Sequence, residues 1–155
     1  MLKWLYKNED ITSIEQFPED CHGFVYKITN LKDGRFYIGR KILQNTLNKP
    51  LTKKELSEQT GPGRKPKKKK VVKESNWLKY WGSNKPLLED IKELGEENFE
   101  REIIQLTFSK KELTYYELHY QCVYEVLLTD SYNSNILGKF YPRTLHRLIF
   151  LNLDF

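Results

Sequence analysis

GFVYKITNLKDGRFYIG, residues 23–39, is the stretch from which the fold of this chain is read. Gly23 to Leu31 mix Phe, Val, Tyr, Ile and Thr, the aromatic and β-branched residues that suit a pleated, half-buried surface. Asp33-Gly34 comes next, and such a pair between two strand-like runs signals a two-residue hairpin turn, because glycine accepts the positive φ required. Arg35 to Ile38 reads as the returning strand. An antiparallel hairpin is therefore the first predicted element. Tyr26 and Tyr37 fall on its two strands, where their phenols could meet over one sheet face.

Downstream, helix and strand signals alternate. Leu51 to Gln59 is predicted as a short helix capped by Thr52, with Glu55 completing a capping box. Gly61-Pro62-Gly63 breaks the chain, and the basic run behind it is expected to be an exposed loop. Ser75 to Trp81 reads as a short buried helix ended by Gly82. Asn84 is a suitable N-cap and Pro86 is tolerated in the first turn. Leu87, Leu88, Ile91 and Leu94 then recur at helical spacing until Gly95 stops them. Ile103 to Phe108 alternates as a third strand. Ser109 opens a long helix to about Leu128, with Glu112 completing a second capping box. Its apolar stripe is Leu113, Tyr116, Tyr120, Val123, Tyr124 and Leu127. The predicted architecture is α+β, a small three-stranded antiparallel sheet flanked by helices.

The 155 residues, 39% of them hydrophobic, suffice for one core and not for two full domains. A single domain over 1–155 is expected, with its core at about 22–137, a basic insertion at about 60–74 and a tail at about 138–155 that packs back on it. No run approaches the ~18 apolar residues of a membrane span, so no membrane partner is expected. The start, MLKWLYKNED, turns acidic too early for a secretory signal, which points to the cytoplasm, a host's if the gene is phage-borne. Cys21 and Cys122 lie far apart with no CxxC near either, and His22, His119 and His146 share no metal-ligand spacing, so zinc is not expected. The net charge of +5 is concentrated. Arg64, Lys65, Lys67, Lys68, Lys69, Lys70 and Lys73 fall in one segment without an acid, and without those seven the chain would carry −2. Such a block attracts polyanions, and phosphate contact is its expected use.

Gly23-Phe24-Val25-Tyr26 and Tyr37-Ile38-Gly39, with ten residues between the tyrosines, resemble the two halves of the GIY-YIG nuclease signature. The resemblance spans roughly residues 23–137, and Ser75-Asn76-Trp77 with Trp81-Gly82-Ser83-Asn84 looks like members from phages and mobile elements, which favours DNA as the substrate. It implies an endonuclease that hydrolyses phosphodiester bonds with one Mg2+ or Mn2+. The family's single metal-binding glutamate lies on the helix after the third strand, which here implies Glu117, with Glu125 and Glu112 as neighbours and Glu112 better explained as a cap. Glu117 also sits within the apolar stripe, where a carboxylate must find a cation, a hydrogen-bond donor or a shifted pKa. A magnesium ion would satisfy it, since that ion takes few protein ligands and keeps several waters. Tyr26 would orient or deprotonate the attacking water, with Tyr37 assisting. Asn133, sixteen residues past Glu117, is similar to the family's terminal asparagine, with Asn135 a competing match and a turn role the simpler one.

The chain departs from the family at the phosphate-clamping arginine, whose usual place is Leu47. Arg40 and Lys41 directly follow the second motif instead. A planar guanidinium suits phosphate bidentately, so Arg40 is the expected clamp with Lys41 assisting. The displaced arginine also supports a rival reading, a nucleic-acid-binding module that has lost activity. A third reading is a protein-interaction domain whose basic segment binds an acidic partner, but it leaves the paired tyrosine motifs unexplained. Nothing in the sequence sets the oligomeric state or the target.

Overall fold

The computed structural model describes residues 2–143 and Leu145. The predicted hairpin is present: β3 (Gly23–Asn30) and β4 (Phe36–Ile42) pair antiparallel from Gly23↔Ile42 to Thr29↔Phe36, so Tyr26 lies opposite Gly39 and Ile28 opposite Tyr37. The turn is longer than the two residues expected: the Asn30 amide donates to the Arg35 carbonyl, and residues 31–34 close the hairpin with Gly34 at φ +78° donating to the Asn30 carbonyl. The third strand, β7 (Phe99–Thr107), pairs antiparallel with the other edge of β3 and starts four residues earlier than its alternation suggested. A register shift passes over Ile104, which faces the opposite side from Ile103 and resets the alternation that the sequence seemed to show.

The sheet is larger and of mixed sense, which corrects the three-stranded antiparallel expectation. β1 (Trp4–Tyr6) and β2 (Glu9–Ile11) form a second hairpin, and β1 joins β7 in parallel, giving the order β2-β1-β7-β3-β4. These strands are three residues each, and Lys7-Asn8, both at positive φ, make a turn without glycine, so the run carries neither length nor the usual turn signal. Tertiary contact holds them. The Trp4 indole donates to the Trp77 carbonyl, and the Arg101 guanidinium donates to the carbonyls of Lys3, Leu78 and Tyr80 while lying between the Trp4 and Trp81 rings.

One sheet face packs Trp4, Phe24, Tyr26, Ile28, Trp77, Leu87, Ile91 and Phe99 into the larger core. The 75–81 segment contributes a single 3-10 turn at Trp77–Lys79, not a helix, yet it buries Trp77 as the sequence implied. α2 (Lys85–Leu94) closes this face with Asn84 as its N-cap and Gly95 at its end. The other face packs Val25 and Ile38 against α3 (Lys110–Val123), whose N-cap Ser109 accepts from the Glu112 amide. α3 ends before Leu128 because Glu125 takes a left-handed φ of 48°, which turns Val126 and Leu127 into the core beside Ile38. Val123 is therefore exposed, and the inward row at i, i+4 spacing is Leu113, Glu117 and Gln121.

The basic segment is a loop only over residues 64–67; from Lys68 on it is a strand. β5 (Gln44–Pro50) and β6 (Lys68–Glu74) form a separate two-stranded ribbon that leaves the sheet directly after β4. Its strand content escapes the sequence because five of the seven residues of β6 are charged. Leu43, fully buried, anchors the base, and Ser75 donates to the Ile42 carbonyl. α1 (Lys53–Ser57) lies at the far end with the Thr52–Glu55 capping box as expected, and Glu55 pairs with Lys69, which offsets the like charges of Lys49 and Lys69 directly opposite each other. Leu145 packs against the α3 core; the rest of the tail that was expected to pack back lies outside the described residues.

Candidate active site

β4 is an edge strand, and the candidate site lies along it. Side chains alternate across a strand, so Tyr37 turns toward the larger core while Ile38 and Arg40 turn toward α3. At a free edge both sets reach the same solvent. An open pocket of about 570 Å3 is lined by Tyr37, Arg40, Lys85, Glu117, Gln121 and Asn133, among others. Four of the residues singled out in the sequence are thus brought together.

Arg40 Nε lies 3.2 Å from a Glu117 carboxylate oxygen, and its Nη1 donates to the Thr114 hydroxyl at 2.6 Å. Both Glu117 and Thr114 come from α3, so the helix presents the acid and steadies the base opposite it. The Glu117 side chain is only 22% exposed. Burial raises its carboxyl pKa above the usual carboxylate range, and the Arg40 guanidinium pulls the other way. Arg40 remains 42% exposed, free enough to exchange partners.

Tyr26 stands behind this wall. It is 1% exposed, and its ring is 6.1 Å from that of Tyr37. Gly39, its cross-strand partner, makes room for it: a Cβ there would meet the Tyr26 hydroxyl at 2.5 Å and a Tyr37 ring carbon at 2.8 Å. The final glycine of the second motif is therefore a steric requirement of the first motif's tyrosine. Burial drives the Tyr26 pKa well above its ordinary value, with Tyr37, Tyr80 and Glu117 adding to the rise. Burial also raises that of Tyr37, helped by Tyr80 and Glu117. Both phenols stay protonated at neutral pH.

Lys41 does not join Arg40. It faces the other side of the sheet, donating to the Asn76 side chain at 2.6 Å with its ammonium 4.1 Å from the Tyr80 ring centre, and burial lowers its pKa. Asn133 does reach the pocket, but its amide is occupied. Its oxygen accepts from the Ile38 amide at 3.0 Å and its nitrogen donates to the Ile38 carbonyl at 2.8 Å, continuing the sheet edge in place of a sixth strand. The neighbouring Tyr132 amide donates to Phe36, and the Asn84 side chain donates to the Tyr132 carbonyl. Asn135 also lines the pocket, and among the described residues its side chain bonds within its own turn, donating to the Ser134 hydroxyl and accepting from the Gly138 amide. Arg64, Lys65, Lys67, Lys68, Lys69, Lys70 and Lys73 all lie in the ribbon and the turn before β6, exposed and outside the pocket.

Lys85 and Gln121 are pocket residues that the sequence reading passed over. Lys85 opens α2, where a cation is unusual against the helix dipole, and that is the one signal it offered. Gln121, 8% exposed, was marked by its position one turn past Glu117 on the inward row.

Among the described residues no group of three or more His, Cys, Asp or Glu could hold a metal. A zinc-type centre is not what Glu117 offers. One carboxylate, desolvated on the wall of an open and polar pocket, fits a hard cation that keeps most of its own waters.

No curated protein and no solved structure matches the chain. A family model described as "Putative endonuclease segE, GIY-YIG domain" matches residues 4–141. That match takes in the Trp4–Tyr6 strand, the tyrosine hairpin, the ribbon, α3 and the Asn133 edge clamp. The chain belongs to the GIY-YIG endonuclease family.

Proposed function

We propose that the protein is a divalent-metal-dependent endonuclease that hydrolyses DNA phosphodiester bonds in the β4-edge pocket. The observation that carries this reading is the convergence of Tyr37, Arg40 and Glu117 on one open wall, with the acid and the arginine already paired. Glu117 would hold Mg2+ or Mn2+. When bound, such an ion supplies Lewis-acid stabilisation of charge on the phosphate and on the departing 3′ oxygen.

The chain's own residues do the rest. Arg40 gives up Glu117 for a non-bridging phosphate oxygen, where its planar fork matches the acceptor geometry and neutralises charge that grows in the transition state. Lys85, at the mouth of the same pocket, is the second cation of this wall, a place taken by Lys85 and not by Lys41. Tyr37 orients the attacking water. A phenol that stays protonated can accept from water and donate onward, so its role is alignment and proton passage. Tyr26 is a positioning residue that backs the Tyr37 ring. Asn133 is likewise a positioning residue, because both ends of its amide are committed to Ile38. The water oxygen joins phosphorus as the bond to the 3′ oxygen breaks, leaving a 5′-phosphate and a 3′-hydroxyl. Incubating supercoiled plasmid with Mg2+ tests this directly; intact plasmid would reduce the chain to the binding module of the rival reading.

The raised Glu117 pKa gives a pH dependence. Only the carboxylate binds the cation, so protons compete with metal. Divalent-ion affinity, measured by calorimetric titration of the full chain, should fall as pH drops toward that raised pKa, beginning above the range of an ordinary carboxyl. Affinity that holds level down to the ordinary range would contradict the assignment.

The ribbon's lysines make a second check. Phosphate contacts release counterions, at about 0.9 units of logarithmic salt slope each. Replacing Lys67, Lys68, Lys69 and Lys70 with glutamine should flatten the slope of DNA affinity against salt by about one to two units, because Lys69 is already paired with Glu55 and not every one of the four meets a phosphate. An unchanged slope would make the segment a bystander.

A further inference from the structure

The two faces of the β5–β6 ribbon differ. Lys49, Leu47, Lys69 and Val71 share one face, where Glu55 of α1 pairs with Lys69 and Val71 is half-buried. The opposite face is bare. There Asn48 stands directly across from Lys70 and Thr46 across from Val72, with Gln44 and Lys68 in the flanking rows, and all six are exposed. Val72 is 59% exposed.

A surface that only grips phosphate needs cations. This one interleaves them with amides, a hydroxyl and a branched apolar side chain, which is the chemistry of base edges. Asparagine and glutamine pair bidentately with adenine, lysine donates to the guanine O6 and N7, and apolar groups meet the thymine methyl. The dimensions agree. A major groove about 12 Å wide admits a two-stranded ribbon whose strands lie about 4.8 Å apart. Same-face residues two apart on a strand are separated by about 6.6 Å, close to two base-pair steps of about 3.4 Å. Charge is complementary, since the bare face carries Lys68 and Lys70 while its one acid, Glu74, sits at the base and accepts from the Trp77 indole. β5 also continues from β4, so whatever the ribbon holds is tied to the strand that carries Tyr37 and Arg40.

We propose that this face of the ribbon lies in the major groove of duplex DNA and reads base edges through Asn48, Lys70, Thr46 and Val72. Gln44 and Lys68 flank the reading rows. The proposal rests on the nuclease reading, which supplies the cut that this contact would place. It predicts that residues 1–155 by themselves show a short sequence preference.

The test is selection of bound duplexes from a randomised pool by the full chain in EDTA, where cutting does not enter, followed by sequencing. Wild-type protein should enrich a preference over adjacent base pairs. Asn48→Ala should lower the preference at one position about tenfold and leave the salt slope unchanged, because no cation is lost. Thr46→Ala with Val72→Ala should relax a position about two base pairs away. An unbiased wild-type pool, no duplex binding, or a bias that survives all three substitutions would overturn the proposal. Failure of the nuclease reading looks different. In that case the bias and its loss are seen but Mg2+ produces no cuts, whereas cutting with unbiased pools and unbiased ends removes only the ribbon's role.

Discussion

Replacing Glu117 with glutamine should lower Mg2+-dependent DNA cleavage by about 10³-fold while DNA binding is retained. The size follows from what is removed. A Lewis acid contributes several kcal/mol to a phosphoryl transition state, and about 4 kcal/mol corresponds to three decades of rate. Among the described residues the pocket offers no second acid to take over, since the polar groups lining it with Glu117 are two phenols, two cations, amides and hydroxyls. Binding survives because Arg40, Lys85 and the ribbon remain, and Arg40 is released from its partner. The variant should also fold. A carboxyl whose pKa is higher folded than unfolded takes up its proton more readily in the folded chain, so its contribution to stability is greatest in acid and is lost as pH rises through the raised value. Glutamine removes that loss, so thermal unfolding near neutral pH should come no earlier than in wild type. Cleavage retained by Glu117→Gln would move the metal elsewhere.

The second large effect is expected at Asn133. Substitution by alanine strips the Ile38 amide of its partner at the sheet edge and leaves the Ile38 carbonyl only the long 3.5 Å bond from Gln121, in a position where Asn133 itself is 8% exposed. A buried group left unsatisfied costs about 1–3 kcal/mol, and since the carbonyl keeps Gln121 the substitution should cost about that much, with water at the edge keeping it toward the lower figure. Denaturant midpoints would read this. The loss should also reach the chemistry, because Ile38 lies between Tyr37 and Gly39, and a loosened edge frees the phenol that must align water. kcat should therefore fall by more than DNA affinity does. A direct phosphate contact would instead show chiefly in affinity. Asn133→Asp keeps an acceptor for the Ile38 amide but sets a carboxylate against the Ile38 carbonyl, and should be no better than alanine.

What could be read from sequence was what local chemistry decides. Asp33-Gly34 with its flanking runs determines a hairpin by itself, and Ser109, Asn84 and Thr52 cap helices that depend on few distant partners. The half-buried place of Glu117 on the inward row of α3 was legible because a carboxylate within an apolar stripe is a local anomaly. The β1–β2 hairpin was not, since its stability comes from Arg101 and Trp77, residues about 70 and more positions away. The β6 strand was masked by its lysines, whose local repulsion argues against pairing that β5 and Glu55 nonetheless stabilise. Lys41 shares the face of Tyr37, but its ammonium is drawn to the Asn76 side chain and the Tyr80 ring, distant partners that no local signal announced. The division of labour between the tyrosines was likewise tertiary: Tyr26 is enclosed by Trp4, Tyr80 and Gly39, and none of that is local.

The measurement that bears most directly on the central claim is cleavage of plasmid DNA by the full chain with Mg2+ and with EDTA, with the new ends mapped. Strand breaks should appear only with the metal, carry 5′-phosphate and 3′-hydroxyl termini, and disappear with Glu117→Gln. Folded protein that binds DNA yet leaves it intact in both Mg2+ and Mn2+ would contradict the account.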